Sequence, residues 1–106
     1  MTRLLAPVHP GEVLKEEFMK PLELSANALA RALRVPANRI SAIVNAERGI
    51  TADTALRLAR ALGTTPDFWL NLQKQYDLDR ARDAATDLGR IEPIRARALA
   101  GRPWRA

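Results

Sequence analysis

The chain has 106 residues, of which 47% are hydrophobic and only 5% aromatic, so any core must be built mainly from Leu, Ala, Ile and Val. This composition favours small packed helices over a β-sandwich, and the length suits one domain with a short tail. Cysteine is absent, which excludes disulfides and thiolate metal sites, and no apolar run is long enough for a membrane span or a secretory signal. We therefore expect a cytoplasmic, all-α protein.

The formal net charge of +5 is unevenly distributed. Residues 25–60 contain six Arg against two acidic residues, and residues 80–106 contain seven Arg against three. Concentrated basic charge favours a nucleic-acid partner, although a solvated basic surface is the other ordinary explanation.

Start and stop signals predict the first two of five short helices. Pro10 suits the first position of a helix that ends at Pro21. Ser25 can cap a second helix that runs through about Leu33. Pro36 then requires a break, because the residue before a proline avoids the helical region.

The remaining three helices follow similar signals. The third runs from Pro36 to about Asn45. Thr51 caps the fourth, TADTALRLARAL, and Gly63 can accept the left-handed conformation that ends it. Thr65-Pro66-Asp67 opens the fifth, which contains FWLNLQKQYDLDRAR.

The sequence changes character after about Asp79, where Gly, Pro and Arg become frequent and periodicity fades. We therefore predict a DNA-binding and dimerisation domain over residues 1–79 and an Arg-rich C-terminal tail over residues 80–106. Within the tail, IEPIRARALA could form a short helix after Pro93.

The second and third helices, with a break of three or four residues between them, are typical of a helix-turn-helix. A helical wheel places Ile40, Ile43 and Val44 on the side of the third helix that can pack on a core. The opposite side carries Asn38, Ala42 and Asn45, flanked by Arg39 and Ser41, with Ala37 near the N-terminal end. Asn and Arg pair bidentately with adenine and guanine edges in the DNA major groove. The same residues would also suit a plain solvated helix, so the wheel alone leaves both interpretations open.

Nothing in the chain indicates an enzyme. His9, the only histidine, stands beside Pro10 and suits a helix start better than a catalytic base or metal ligand. Ser25 and Ser41 have no base partner in the sequence, and no residue cluster suggests a metal site. We therefore expect no catalytic activity and no cofactor.

Five motifs follow one another between residue 8 and about residue 79: HPGE, VPANRIS, RGIT, DTALRLA and FWLNLQ. In this order they resemble the HigA/VapI-type antitoxins of the Xre helix-turn-helix family. The resemblance implies an all-α, five-helix, lambda-repressor-like DNA-binding fold. It does not extend to the tail.

The resemblance also implies roles for individual residues. The family's recognition helix falls on residues 36–45. The base-facing positions of that helix are occupied here by Ala37, Asn38, Arg39, Ser41 and Ala42. The positions that contact the phosphate backbone are occupied by Ser25, Ala26, Pro36, Asn45 and Arg48.

Proteins of this family are all-helical dimers that bind an operator palindrome upstream of their own operon and repress it. Their usual second partner is a small ribosome-dependent mRNA endonuclease, a HigB-like toxin encoded next door, which the antitoxin sequesters. The resemblance thus implies three partners: double-stranded operator DNA, a HigB-like toxin protein and a second copy of the chain. No membrane partner is expected.

The aromatic-rich fifth helix is the predicted dimer contact. The alternative is that Phe68, Leu72 and Tyr76 close the monomer core, an interpretation favoured for the first two. Trp69 lies elsewhere on the wheel and is the stronger interface candidate. The predicted interface residues are Trp69, Leu72, Gln73 and Tyr76.

Three other functions remain open from the sequence. The chain could be a helix-turn-helix regulator without a toxin partner, or a protein-interaction module that has lost DNA binding. The Arg-rich tail could also bind RNA and fold on contact.

Overall fold

The computed structural model describes residues 6–94, and this range is helical with no strand. The predicted all-α fold with five helices is confirmed. The short helix expected after Pro93 falls mostly on residues outside this range. The elements are α1 (Pro10–Val13), which continues as a π-helical segment (Leu14–Met19), α2 (Ala26–Leu33), α3 (Ala37–Val44), α4 (Ala52–Leu62), α5 (Pro66–Ala84) and a 3-10 turn (Leu88–Arg90).

The predicted caps hold three of the helices. Ser25, Thr51 and Thr65 each accept a hydrogen bond from the backbone N–H three residues further on, at 3.0, 3.4 and 3.1 Å. Gly63 ends α4 in the left-handed conformation with φ of 72°. These caps satisfy backbone groups that a helix terminus leaves without a partner.

The start of α1 is fixed by His9 and Gly11. The Nδ1 atom of His9 accepts a hydrogen bond from the Gly11 N–H at 2.8 Å, so the histidine serves as a helix cap, as predicted. A Cβ atom at Gly11 would overlap the backbone carbonyl of Ile43, at the end of α3. Glycine therefore allows α1 to pack directly against the backbone of α3.

The break between α2 and α3 forms the predicted turn of the helix-turn-helix. Arg34 adopts the left-handed conformation with φ of 61°, and its N–H donates to carbonyls in the last turn of α2. Pro36 is extended and stands at the N-cap of α3. The extended proline redirects the chain, so that α3 packs across α2.

The core lies where all five helices meet. Its largest fully buried side chains include Trp69 from α5, Leu14 from the π-helical segment and Leu58 from α4. Helix α5 packs on both α1 and α4, and continues through residue 79 as far as Ala84. The change in sequence character at residue 79 is thus not a break in secondary structure.

None of the helices within residues 6–94 is both long enough and apolar enough to cross a membrane.

Candidate nucleic-acid interface

Helix α3 has one side in the core and one side turned outward. Ile40 and Ile43 are fully buried, and Val44 packs against the core cluster. The apolar side predicted from the wheel is therefore confirmed. The opposite side, which we call the outer face of α3, consists of Asn38, Ser41, Ala42 and Asn45.

Two asparagines dominate the outer face of α3. Asn38 and Asn45 are both exposed, and neither side chain makes a hydrogen bond within residues 6–94. Asparagine is a poor helix former, so helix stability does not explain Asn38 within α3, whereas Asn45 is the C-cap residue of that helix. Their amides retain the full set of donors and acceptors that adenine recognition in the major groove uses.

Small side chains fill the space between the asparagines. Ser41 and Ala42 are half-buried, and Ala37 is exposed in the first turn of the helix. The Ser41 hydroxyl donates to the Ala37 carbonyl at 3.3 Å, so it is engaged by its own helix. Because these three side chains are short, another molecule can approach the helix backbone closely.

The N-terminus of α3 differs from those of the other helices. Pro36 provides no side-chain hydrogen bond to the first turn, whereas each of the other four α-helices within residues 6–94 has a capping side chain. The partial positive charge of the α3 dipole is therefore left without a capping group from the protein itself.

The predicted phosphate-contacting residues at the start of α2 and in the loop after α3 differ in exposure and in hydrogen bonding. Ser25 is exposed but already accepts the capping hydrogen bond of α2, and Ala26 packs partly against the core. Arg48 is exposed in the loop after α3, and its guanidinium makes no ion pair within residues 6–94. Of these three, Arg48 is the one with a charge available for an anion.

Arg39 is held by the protein rather than extended into solvent. Its Nη1 atom donates to the Asp53 carboxylate at 2.7 Å, and the side chain is only 23% exposed. Arg57 also donates to Asp53. The hydrogen bonds from Arg39 and then Arg57 lower the pKa of the Asp53 carboxyl below its ordinary value, so the carboxylate stays ionised at neutral pH.

The prediction that Trp69 contacts a partner chain is wrong. Its side chain is fully buried, it packs beside Phe18, and its indole N–H donates to the Thr64 hydroxyl at 2.7 Å. The neighbouring Phe68, predicted as the core residue, is the more exposed of the pair. A hydroxyl within reach lets the larger ring be buried without leaving its polar atom unpaired.

The other predicted interface residues also have contacts inside the chain. The Gln73 side chain accepts from the Ile50 N–H at 2.7 Å and donates to Asp77 at 3.0 Å. The Tyr76 ring lies edge-on to His9, with ring centroids 4.8 Å apart. Leu72 packs partly against the core. Whether these residues also contact a second chain stays a prediction.

Neither Asp53 nor Gly11 is predicted from the sequence as part of this region. The spacing of four residues between Asp53 and Arg57 signals their ion pair. No local pattern signals the pair between Asp53 and Arg39, because 14 residues and a loop separate them. The glycine of the HPGE motif is visible in the sequence, but its contact with α3 is not.

No candidate metal-binding site is present in the part of the chain that the structure describes. Residues 6–94 contain no group of three or more His, Cys, Asp or Glu side chains placed to hold a metal ion.

The chain is similar in sequence and in structure to helix-turn-helix proteins, several of which are antitoxins. Residues 15–69, which include α2, α3 and α4 in full, match the family profile described as Helix-turn-helix. Virulence-associated protein I of Dichelobacter nodosus is 52% identical over 87 residues, which cover 82% of this chain and 81% of that protein. Antitoxin HigA-1 of Vibrio cholerae is 47% identical over 72 residues, which cover 68% of each. The solved structure of the Pseudomonas aeruginosa antitoxin HigA with the higBA promoter is 45% identical with a TM-score of 0.80, covering 84% of this chain and 99% of that one.

Proposed function

The chain belongs to the Xre-type helix-turn-helix family that includes HigA and VapI proteins, and from this premise we propose that it is the antitoxin of a type II toxin–antitoxin pair. As a cytoplasmic homodimer it binds operator DNA upstream of its own operon and represses transcription. Its second activity is to bind and neutralise a HigB-like, mRNA-cleaving toxin. It has no catalytic role of its own.

The observation that carries the DNA-binding proposal is the outer face of α3. Its two asparagines are exposed, have no partner within residues 6–94, and are separated by small residues that permit close approach. A helix of this width and polarity fits the major groove, where asparagine amides distinguish adenine from the other bases. In this arrangement Asn38 supplies sequence choice, whereas Asn45, at the C-cap of α3, contacts the phosphate backbone.

Affinity in this proposal comes mainly from phosphate contacts. The uncapped N-terminus of α3, the Ser25 end of α2 and the exposed Arg48 are all suited to negatively charged oxygens. Such contacts release condensed counterions, so the affinity should fall steeply as salt concentration rises.

Dimerisation follows from the small size of one recognition helix. A single α3 covers only a few base pairs, and useful specificity requires two such helices about one turn of DNA apart. Because Trp69 is buried in the core, it cannot form the dimer contact. The remaining candidates on α5 are Leu72, Gln73 and Tyr76, and the exposed Leu78 is added to them. Analytical ultracentrifugation of the full chain tests the dimer.

Base readout is tested by measuring affinity for two probes: the duplex immediately upstream of the coding sequence and a scrambled duplex of equal length. Asn38→Ala should weaken binding to the upstream duplex by about 1–3 kcal/mol and leave binding to the scrambled duplex nearly unchanged. Asn71→Ala, at an exposed position on α5, is the matched control and should change neither. Unchanged affinity for the upstream duplex in both Asn38→Ala and Arg39→Ala would contradict readout by α3.

The toxin partner is tested separately. The product of the neighbouring small open reading frame should arrest growth when expressed alone, and co-expression of the full chain should restore growth. Co-purification of the two proteins should accompany the rescue. If growth arrest persists despite expression of the chain, the toxin-neutralising part of the proposal is wrong, and the DNA-binding part stands on its own test.

A further inference from the structure

Asp53 connects three helices directly behind the N-terminal end of α3. Its carboxylate accepts from the Arg39 Nη1 atom at 2.7 Å and from the Arg57 Nε atom at 3.0 and 3.1 Å. Arg57 in turn donates to the Leu33 carbonyl at 2.9 Å, at the end of α2. One carboxylate in the first turn of α4 therefore fixes a side chain of α3 relative to α2 and α4.

The guanidinium of Arg39 is only partly used by these contacts. Its Nη1 atom is bonded to Asp53, and its Nε atom is buried without a hydrogen-bond partner within residues 6–94. The Nη2 atom makes no hydrogen bond within residues 6–94, and the side chain as a whole is 23% exposed. The terminal end of the guanidinium is therefore held in place and still has free donors.

We propose that Asp53 is a positioning residue for DNA recognition: it holds Arg39 from behind, so that the free Nη2 end is presented to the acceptors of a guanine. This inference rests on the proposed DNA-binding function. Two donors at one end of a guanidinium match the O6 and N7 acceptors of guanine. Because Arg39 is already ordered in the free protein, less side-chain entropy is lost when the base is bound.

The negative charge of Asp53 has a second effect on the same surface. A carboxylate close to the protein–DNA contact repels phosphates and reduces sequence-independent attraction. Because this repulsion acts on every duplex alike, it lowers overall affinity without changing discrimination, and the effect of Asp53 on specificity comes through Arg39. A residue that only stabilised the fold would produce neither effect.

The test measures the ratio of affinities for the upstream and scrambled duplexes. Asp53→Asn should reduce this ratio about tenfold, with weaker binding to the upstream duplex and slightly tighter binding to the scrambled one. A third probe, the upstream duplex with 7-deazaguanine in place of guanine, lacks the N7 acceptor. Wild type should lose affinity for this probe, and Asp53→Asn should lose distinctly less.

Three further variants separate positioning from stability. Asp67→Asn removes an acidic residue from the first turn of α5, and should leave the ratio unchanged. Arg57→Gln removes the other partner of Asp53, and should lower the ratio less than Asp53→Asn does. Adding Asp53→Asn to Arg39→Ala should cause no further loss of discrimination, because the residue being positioned is already absent.

Two results would overturn the positioning role: an unchanged ratio in Asp53→Asn, or tighter binding of that variant to the upstream duplex with full sensitivity to 7-deazaguanine. The second result would mean that Asp53 competes with DNA for Arg39. Equal binding of both duplexes by the wild-type protein would instead contradict the proposed base readout. The failure of the inference and the failure of the function are thus distinguishable.

Discussion

The outer face of α3 and the predicted contact surface of α5 both carry side chains that can form hydrogen bonds. They differ in whether those side chains have a partner inside the protein. On α3, Asn38 and Asn45 are exposed and have no partner within residues 6–94. On α5, the Trp69 indole is bonded to a threonine hydroxyl and the Gln73 amide is bonded to the backbone of the α3–α4 loop. One surface keeps its hydrogen-bonding groups available, and the other uses them to hold the protein together.

This difference shows that residue type alone does not identify a binding surface. An amide or an indole marks an interaction site only when the fold leaves its polar atoms without an internal partner. Arg39 lies between the two cases, because its guanidinium is bound to Asp53 while 23% of the side chain stays exposed. The comparison predicts that substitutions on α5 and α1 change stability, whereas substitutions on α3 change binding.

The largest expected effect is at Trp69. Trp69→Ala removes a fully buried ring, and should lower the free energy of unfolding by about 3–5 kcal/mol, measured by urea denaturation. Lys74→Ala, on the exposed surface of the same helix, should cost far less. If Trp69→Ala kept wild-type stability but sedimented as a monomer, the core assignment would be wrong and the interface prediction would be restored.

The next effect is at the contact between α1 and α3. Gly11→Ala places a methyl group against the Ile43 carbonyl, and should destabilise the protein by about 1–3 kcal/mol as the helices move apart. Gly89→Ala is the control, because a Cβ atom there meets nothing within 4 Å. Thermal unfolding of both variants measures the difference. Equal melting temperatures would show that α1 does not pack closely against α3.

A third prediction concerns the stability of the folded protein at acidic pH. Burial lowers the pKa of His9 below 6.5, against the raising effects of Asp77 and of a hydrogen bond with the Arg48 backbone, with Arg80 adding to the lowering. The unfolded chain therefore binds a proton more readily, so stability should fall as pH drops below about 6.5, by at most about 1.4 kcal/mol per pH unit.

His9→Asn provides the matched variant for this pH dependence. Asparagine can still cap α1, but it does not titrate, so the loss of stability between neutral pH and pH 5 should be smaller than in wild type. Asp53, whose pKa is lowered, loses its contribution only at more acidic pH, and so does not obscure the result. Parallel curves for the two proteins would exclude His9 as the source.

The sequence is sufficient to predict the helices because their ends are determined locally. Ser25, Thr51 and Thr65 cap the residues that immediately follow them, and Gly63 ends the helix that precedes it. The buried side of α3 is likewise predicted, because a period of 3.6 residues separates Ile40 and Ile43 from the outer face. The π-helical turns at Leu14–Met19 have no such local signal.

Contacts between distant residues are what the sequence leaves undetermined. Trp69 and Phe68 are adjacent aromatic residues, and only the position of Thr64 and Phe18 in the folded chain decides which one is buried. The pairing of Arg39 with Asp53 depends in the same way on how α4 packs beside α3. Periodicity describes one helix at a time and contains no information about its neighbours.

The smallest expected effect is at Arg48, in the loop that follows α3. Arg48→Gln removes one exposed charge that has no ion-pair partner within residues 6–94, so stability should change by less than about 0.5 kcal/mol. Binding to the upstream and scrambled duplexes should weaken by the same few-fold factor, and the slope of log affinity against log salt should fall by about 1. Arg82→Gln, which makes the same charge change on α5, should leave that slope nearly unaltered. A loss confined to the upstream duplex would instead make Arg48 a base-reading residue, and would contradict the proposal that Arg48 contacts only phosphate.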